Sequence, residues 1–333
     1  MSTMMTPREI VQRCIRFRDA PRIGLHFATE AAEGRVWPYT DFGHCGYTVD
    51  PRRPTTPHGG DEWGVSKTTL DPSSMGESHN PPLAGGWDAV DSGRWQLPDF
   101  TGPERYAHLP AGVAQIHAEG RYAYGHGLGL MLLPVDLRGM DAWFLDHGEN
   151  EDRLAWLLDA ITERNLLIIE AYHRAGMDGF IIWDDMGMND RPLVSPKQFR
   201  RLYLPRYRRI ADALHERGMH FIHHCCGQVW PLMDMFIEGG LDVLQLDQPE
   251  LMGIDRLAAS YAGKLCFWNC VDIMQTMPTG DVARIADEAR RQVDSFHVGG
   301  GFMVKAYQQP QAIRLGHAAL QAQYDAFMRY GAP

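Results

Sequence analysis

The sequence predicts an α/β fold, a (β/α)8 barrel with an elaborated N-terminal insertion. Three observations point there: five consecutive strand–helix units in the second half, short connections between them, and no glycine-rich dinucleotide fingerprint after any strand. Alternating strands and helices with short links imply parallel strands joined by crossover helices. A doubly wound sheet has the same alternation, but 333 residues suit a barrel with insertions. The missing fingerprint weakens the doubly wound alternative.

In chain order, residues 21–27 read as the first strand and 128–134 as the third, with 152–175 as a long helix. Residues 41–110 are rich in Gly, Pro, Ser and Asp and poor in periodic apolar stretches. They read as an insertion or lid within one domain spanning 1–333, since long loops in enzymes often cover active sites. Trp63, Trp87 and Trp95 in this stretch either line an apolar pocket or form the insertion's own small core. Residues 178–183 are a β-rich run. Ser195, Pro196 and Gln198 then give an N-cap, a first-turn proline and a capping-box partner. The helix they open runs towards Arg217 and stops at Gly218. Strands follow at 219–222, 241–246, 264–268 and 300–304, with helices at 229–237, 254–261, 281–296 and 310–330.

A hydrophobic content of 44% with 22% charged residues describes a globular chain with a proper core. The net charge of −10 argues against nucleic acid as a partner, because phosphate binding needs clustered cations. Six cysteines are too few and too unevenly placed for a disulfide framework. Four of them fall within 225–270, which suits a reducing compartment and metal chemistry. No apolar run approaches the ~20 residues of a membrane span. Arg8, Glu9 and Arg13 interrupt any signal-peptide core. A cytoplasmic location is expected.

The strand at 219–222 runs into His223-His224-Cys225-Cys226-Gly227. His224 and Cys226 are two residues apart, so in an extended segment they project to one side and can share an ion. Zinc takes such N and S ligands and keeps a position open when catalytic. The plain alternative is a buried cysteine pair beside a hydrogen-bonded histidine. In a barrel, functional residues cluster at strand C-terminal ends. Those ends carry Asp184 and Asp185, His224 and Cys226, then Gln245, Asp247 and Gln248, then Asn269, Cys270 and Asp272, and finally Lys305 and Tyr307. Each has a structural reading too: Asp184 as a turn cap, Gln245 and Asn269 as partners of loop backbone, Tyr307 as a packed ring. Cys14 and Cys266 read as core residues. His26 and His44 are further candidates for the site.

The motifs Met5-Thr-Pro-Arg-Glu9, Asp61-Glu-Trp-Gly64, Leu137-Arg-Gly-Met140, Trp183-Asp-Asp-Met-Gly187, Ser195-Pro196, Leu204-Pro205, His224-Cys-Cys-Gly227, Gln248-Pro249 and Gly299-Gly-Gly-Phe302 run nearly end to end. Together they resemble the uroporphyrinogen decarboxylase superfamily, which includes cobalamin-dependent methyltransferases and O-demethylases. True porphyrinogen decarboxylases carry an Arg-Gln-Ala-Gly-Arg run that is absent here. Arg16 to Arg22 offers arginines without its glycine turn, so a polycarboxylate tetrapyrrole is not the expected substrate. The methyltransferase branch implies a zinc held by the His-x-Cys pair and a later cysteine near the last strand. His224 and Cys226 match the pair, but the last strand has no thiol. Cys270 completes the site, or a carboxylate such as Asp185 does, or no zinc binds.

The resemblance implies a methyltransferase with Zn2+ on His224 and Cys226, and Cys270 is the expected third ligand. Their placement at the strand ends puts Asp185, Tyr307 and Lys305 within reach of one pocket for acid–base roles, with Asp184, Gln245, Gln248 and Asn269 expected on the substrate. The methyl group of an aromatic methyl ether or a thiol would pass to or from cobalamin. No Asp-x-His-x-x-Gly corrinoid motif is present, so a partner corrinoid protein must supply the cobalamin. Relatives of this fold are often homodimers. The competing readings are a metal-free decarboxylase of a small carboxylated substrate, and a non-catalytic binding protein on the same scaffold.

Overall fold

Alternation of apolar side chains along short parallel strands builds the central ring. The computed structural model describes residues 5–27, 39–50, 60–68 and 77–331. Its strands are β1 (Gly24–His26), β2 (Phe42–His44), β3 (Ser66–Thr68), β4 (Glu77–His79), β5 (Tyr122–His126), β6 (Gly179–Trp183), β7 (His220–His224), β8 (Val243–Leu246), β9 (Cys266–Asn269) and β10 (Phe302–Lys305). Eight of them form one parallel sheet in the order β1-β10-β9-β8-β7-β6-β5-β2. The two ends of this row meet: Asp41 N donates to Leu25 O at 2.8 Å and Phe27 N to Tyr39 O at 3.0 Å, beside a bridge between His26 and Thr40. The result is the expected barrel, all but closed.

The pleat sorts each strand's residues in two. Phe42, Tyr122, Tyr124, Ile181, Ile222, Val243, Cys266, Trp268 and Met303 pack inside the ring. Phe180, Ile182, Phe221, Leu244, Phe267 and Val304 face outward into the helix layer. Phe42 and Trp268 stack across the interior with centroids 4.4 Å apart. Below them the helix Pro7–Ile15 buries Ile10, Val11, Cys14 and Ile15 against the same cluster and seals the floor. Thr6 and Glu9 start that helix with a capping box. Arg8 fastens it to Asp178 at the foot of β6 through a 2.6 Å ion pair.

The third strand lies elsewhere than residues 128–134. It is β5, whose Tyr122 and Tyr124 fill the interior, while the apolar run beyond it turns into the helix Leu132–Arg138. The cause is Asp184, whose carboxylate accepts the backbone amides of Leu130, Met131 and Leu132 at 2.8–2.9 Å and so starts a helix there. The helix expected over 195–217 is interrupted. Ser195 and Gln198 make the capping box, but Phe199–Tyr203 is π-helical before Leu204–His215 resumes. Pro205 has no N–H and its ring excludes the carbonyl four residues back, so the preceding turn widens. The segments expected as helices over 229–237 and 310–330 each open with a 3-10 turn, Trp230–Leu232 and Pro310–Ile313.

Between β2 and β5 the chain makes the antiparallel β3–β4 hairpin, with Lys67 paired opposite Ser78. It also holds a small aromatic cluster. Trp63 and Trp87 are buried, Trp95 Nε1 donates to Trp63 O at 2.9 Å, and Trp87 lies under the Arg138 guanidinium. Trp63 packs against Trp95 and Trp87 against Trp156, and none of the three is among the residues lining the cavity described below.

The seam between β1 and β2 depends on Asp41. It is fully buried and accepts two bonds from Arg22, at 2.6 and 2.8 Å, and one from Leu25 N at 2.8 Å. Removing one partner of a buried ion pair typically costs about 3–5 kcal/mol. Asp41→Ala is expected to lower the unfolding free energy by about that amount in urea titration. A loss below about 1 kcal/mol would show that the seam closes without it.

Candidate functional site

Because residues two apart share a face, the strands that fill the interior also decide what reaches the mouth. Trp183, His224 and Gln245 are register partners across β6, β7 and β8, one pleat above Ile181, Ile222 and Val243. Lys305 follows Met303 in the same way on β10. Above this layer opens a cavity of about 840 Å³, lined by Asp185, His224, Cys226, Gln245, Asp247, Lys305 and Tyr307 on its inner side. Leu132, Val135, Met140, Pro81 and Trp183 form apolar wall, and Lys67, Ser78 and Asp136 stand on the same lining.

Three of these residues converge. One ligand atom each from Asp185, His224 and Cys226 lies within 4.8 Å of the other two. His224 Nε2 is 3.5 Å from Cys226 Sγ and 3.5 Å from Asp185 Oδ1. Zinc bonds of about 2.0–2.3 Å in tetrahedral arrangement put neighbouring ligand atoms about 3.3–3.8 Å apart, so the spacing fits such an ion. His224 Nδ1 lies 3.0 Å from Gln245 Oε1, the acceptor that fixes the tautomer and aims the Nε2 lone pair at the group. The loops after β6 and β7 hold the geometry. Cys226 N donates to Asp185 Oδ1 at 3.2 Å, and Gly187 N to Cys226 O at 3.1 Å. Gly227, at φ +84°, passes so close to Gly187 that a Cβ would sit 2.1 Å from Gly187 O.

Electrostatics favour a cation here. Burial raises the Asp185 carboxyl, but the His224 ring and Cys226 facing it more than reverse this, leaving it below its ordinary value. Burial, then the charges of Asp185 and Asp247, push the Cys226 thiol far up. A thiolate at that position therefore needs a compensating positive ion. Beside the group, Lys305 Nζ and Asp247 Oδ1 form a buried 2.5 Å ion pair. Burial alone would discharge both. Their mutual attraction wins, raising the lysine and lowering the aspartic acid. Burial and then the Asp247 charge raise the Tyr307 phenol, so it holds its proton.

Other expected site residues lie away from the cavity. Cys270 is not among the converging ligand atoms; it is fully buried, its Sγ 3.4 Å from Asp247 Oδ1. Asp184 follows Trp183 and so points outward, where it takes three backbone amides and the Tyr207 hydroxyl at 3.1 Å. Burial raises its carboxyl to about 6 against those four donors. Asn269 follows Trp268 and likewise faces outward, bonding Gln292 Oε1 at 3.1 Å. Gln248 accepts from Gly227 N at 3.0 Å and supports the loop. His26 lies inside the barrel against Thr40, and His44 pairs with His126 at 3.1 Å. Asp247 as the lysine's partner, Trp183 as wall, and Lys67, Ser78 and Asp136 were not assigned from sequence. Strand parity marks the first two; no spacing marks the last three.

A parallel barrel with Asp185, His224 and Cys226 converging at its C-terminal mouth defines the class. The uroporphyrinogen decarboxylase (URO-D) family model matches residues 134–303, and the chain belongs to that family. No curated protein matches the chain. Among solved structures, it is similar to a methyltransferase from Methanosarcina mazei, with TM-score 0.69 and 15% identity over 98% of this chain and 100% of that one. At that identity the likeness is one of fold. A D-psicose 3-epimerase from Clostridium cellulolyticum H10 follows at TM-score 0.41 and 10% identity, covering 70% of this chain and 85% of that one, too slight to bear on this chain.

Adjacent aspartates on opposite faces should separate experimentally. Asp184→Ala leaves three backbone amides, two of them buried, without an acceptor and is expected to cost about 3–5 kcal/mol of stability by denaturant titration. Asp185→Ala is expected to cost less than about 1 kcal/mol. Equal losses would contradict the division of labour between them.

Proposed function

We propose that this chain is a metal-dependent methyltransferase. It would move a methyl group between a small methyl ether or thiol and a corrinoid carried by a partner protein. The observation that carries this reading is the convergence of Asp185, His224 and Cys226 at the head of the cavity. Those three side chains would hold a zinc ion, with Gln245 positioning His224. A zinc ion bound there supplies Lewis-acid polarisation of the substrate's oxygen or sulfur.

The remaining residues have roles set by their surroundings. Tyr307 retains its proton beside the group and donates it, or a hydrogen bond, to a departing phenolate or thiolate oxygen or sulfur. Lys305 and Asp247 form a fixed dipole under the substrate that needs no rearrangement as charge develops. The apolar wall of Leu132, Val135, Met140 and Trp183 excludes water from the reacting methyl. The methyl acceptor must arrive from outside, across the mouth.

A decarboxylase would need a cation free to hold the departing carboxylate. Among the described residues the cavity's two lysines are each paired, Lys305 with Asp247 and Lys67 with Asp136, and no arginine lines it. This favours methyl transfer over the family's namesake reaction. All six cysteines are free thiols, which suits the cytoplasm. No helix among the described residues is long and apolar enough to cross a membrane.

Metal content by plasma mass spectrometry tests the reading. About one zinc per chain is expected in the wild type. It should be lost in Cys226→Ser and Asp185→Asn and kept in Cys270→Ser. A wild type without bound metal would sink the mechanism, and loss with Cys270→Ser but not Asp185→Asn would move the third ligand. Gln245→Leu is expected to weaken zinc affinity about 10–100-fold in a chelator competition, because the imidazole loses its orienting acceptor. Unchanged affinity would remove Gln245 from the site.

A further inference from the structure

The floor of the barrel carries a cluster of charged side chains of its own. Arg13 and Arg16 are three residues apart, so they share a face at the end of the helix Pro7–Ile15. Phe17 and Asp19 then take left-handed backbone, φ +51° and +48°, which turns Arg18 back until its carbonyl accepts from Arg13 Nη1 at 2.9 Å. The run Gly299-Gly300-Gly301 at the foot of β10 holds this turn. Asp19 N donates to Gly299 O at 2.8 Å and Gly301 N to Cys14 O at 2.7 Å. A Cβ on Gly300 would sit 2.9 Å from Arg13 O, so glycine is what lets the two backbones come this close. Glu9, Gln12, Arg13, Arg16 and Arg18 line a pocket of about 210 Å³ here.

The pocket is short of negative charge. Arg8 and Arg22, on either side of this stretch, each pair with an aspartate, whereas among the described residues Arg13, Arg16 and Arg18 pair with none. Glu9 is the one carboxylate on the lining, and it already accepts from Thr6 N and Thr6 Oγ1 at 2.7 and 3.0 Å. Arg16 Nε instead donates to Nε2 of the buried His220 at 3.0 Å. Burial lowers that imidazole to about 4, so it stays neutral and can accept. Its Nδ1–H donates to the Tyr122 hydroxyl at 2.8 Å, which donates in turn to Asp178 O at 3.1 Å. The chain of bonds fixes the guanidinium through Nε and leaves its two terminal nitrogens uncommitted.

We infer that Arg13, Arg16 and Arg18 form a binding site for the phosphate group of a small phosphorylated molecule. Three guanidiniums against one carboxylate leave a surplus of two positive charges, which a phosphate dianion neutralises and a monocarboxylate does not. Guanidinium forks also match phosphate oxygens two at a time. The pocket is smaller than the ~300 Å³ at which sites for drug-sized ligands begin, so it takes a phosphate or diphosphate and leaves the rest of such a molecule outside. His220 opens β7 and His224 ends it, so this site and the donor group at the mouth lie at opposite ends of one strand. The inference is therefore independent of methyl transfer.

Calorimetry with inorganic phosphate, pyrophosphate, ADP and acetate tests this at about 0.15 M salt, where diffuse attraction is screened beyond ~8 Å. Pyrophosphate is expected to bind one to one and about tenfold more tightly than phosphate, with acetate about tenfold weaker again. ADP equal to pyrophosphate would show that the phosphates are all the site reads. Tighter binding of ADP would show that it takes a nucleotide; both results support the site. Arg16→Lys keeps the charge but loses the fork and the bond to His220, so pyrophosphate affinity should fall about 10–100-fold. Arg200→Gln removes an exposed arginine paired elsewhere, with Glu238, and should change it by less than about twofold. Cys226→Ser, at the mouth, should leave it unchanged. Wild-type affinity in Arg16→Lys would reduce the cluster to diffuse charge, and loss in Cys226→Ser would move the binding to the mouth. No binding of phosphate or pyrophosphate would leave the arginines as partners of the helix end's dipole. Each of these last three results overturns the inference.

Discussion

An eight-stranded parallel sheet becomes a barrel only if its two end strands meet, and here they meet at Asp41. The strands β1 and β2 share few backbone bonds, so a buried carboxylate does much of the joining. Arg22 neutralises it from β1's side, Leu25 supplies an amide, and the interior ring Phe42 follows one residue later. Every inward direction elsewhere in the ring is defined relative to that closure. The donor residues at the mouth point together because the strands beneath them have been brought round into a circle.

How much of this is legible in the sequence depends on how regularly each strand reports its surroundings. The strands of the second half are short apolar runs set off by turn residues, and their helices carry clear caps, as at Ser195 and Asp281. The strand at Tyr122–His126 is hidden because it contains a glycine and a histidine, while the more apolar run after it belongs to a helix start controlled by Asp184, over fifty residues away in sequence. No local pattern shows such a partner. The His224-x-Cys226 pair is legible because strand parity alone puts both on one side. For the third group the sequence leaves Cys270 and a carboxylate such as Asp185 open, and Asp185, two residues past Trp183, is the one that converges. The same parity rule, applied to Trp183-Asp184 and Trp268-Asn269, would have turned both polar residues outward. Their residue types suggest chemistry, and their position in the pleat overrides the suggestion.

The two faces of the ring are thereby coupled through a single peptide bond. Asp184 anchors the start of the helix that carries Val135 and Asp136, while its neighbour Asp185 stands in the donor group. The helix start and the donor group are therefore held by adjacent residues of one backbone. The Gly187–Gly227 crossing makes this region stiff, because neither loop can take a side chain there without parting from the other.

The stacked rings of Phe42 and Trp268, with the helix Pro7–Ile15 beneath them, make the barrel a cup with a solid base. A cup has a single opening, so traffic through it alternates in time. Under the proposed methyl transfer, a small molecule would enter and depart by the same rim on which a large methyl carrier would have to sit. Carrier and free ligand would then compete for access even though they never touch the same atoms. An excess of carrier would slow turnover by trapping the spent ligand beneath it, and the order of arrival would become part of the chemistry.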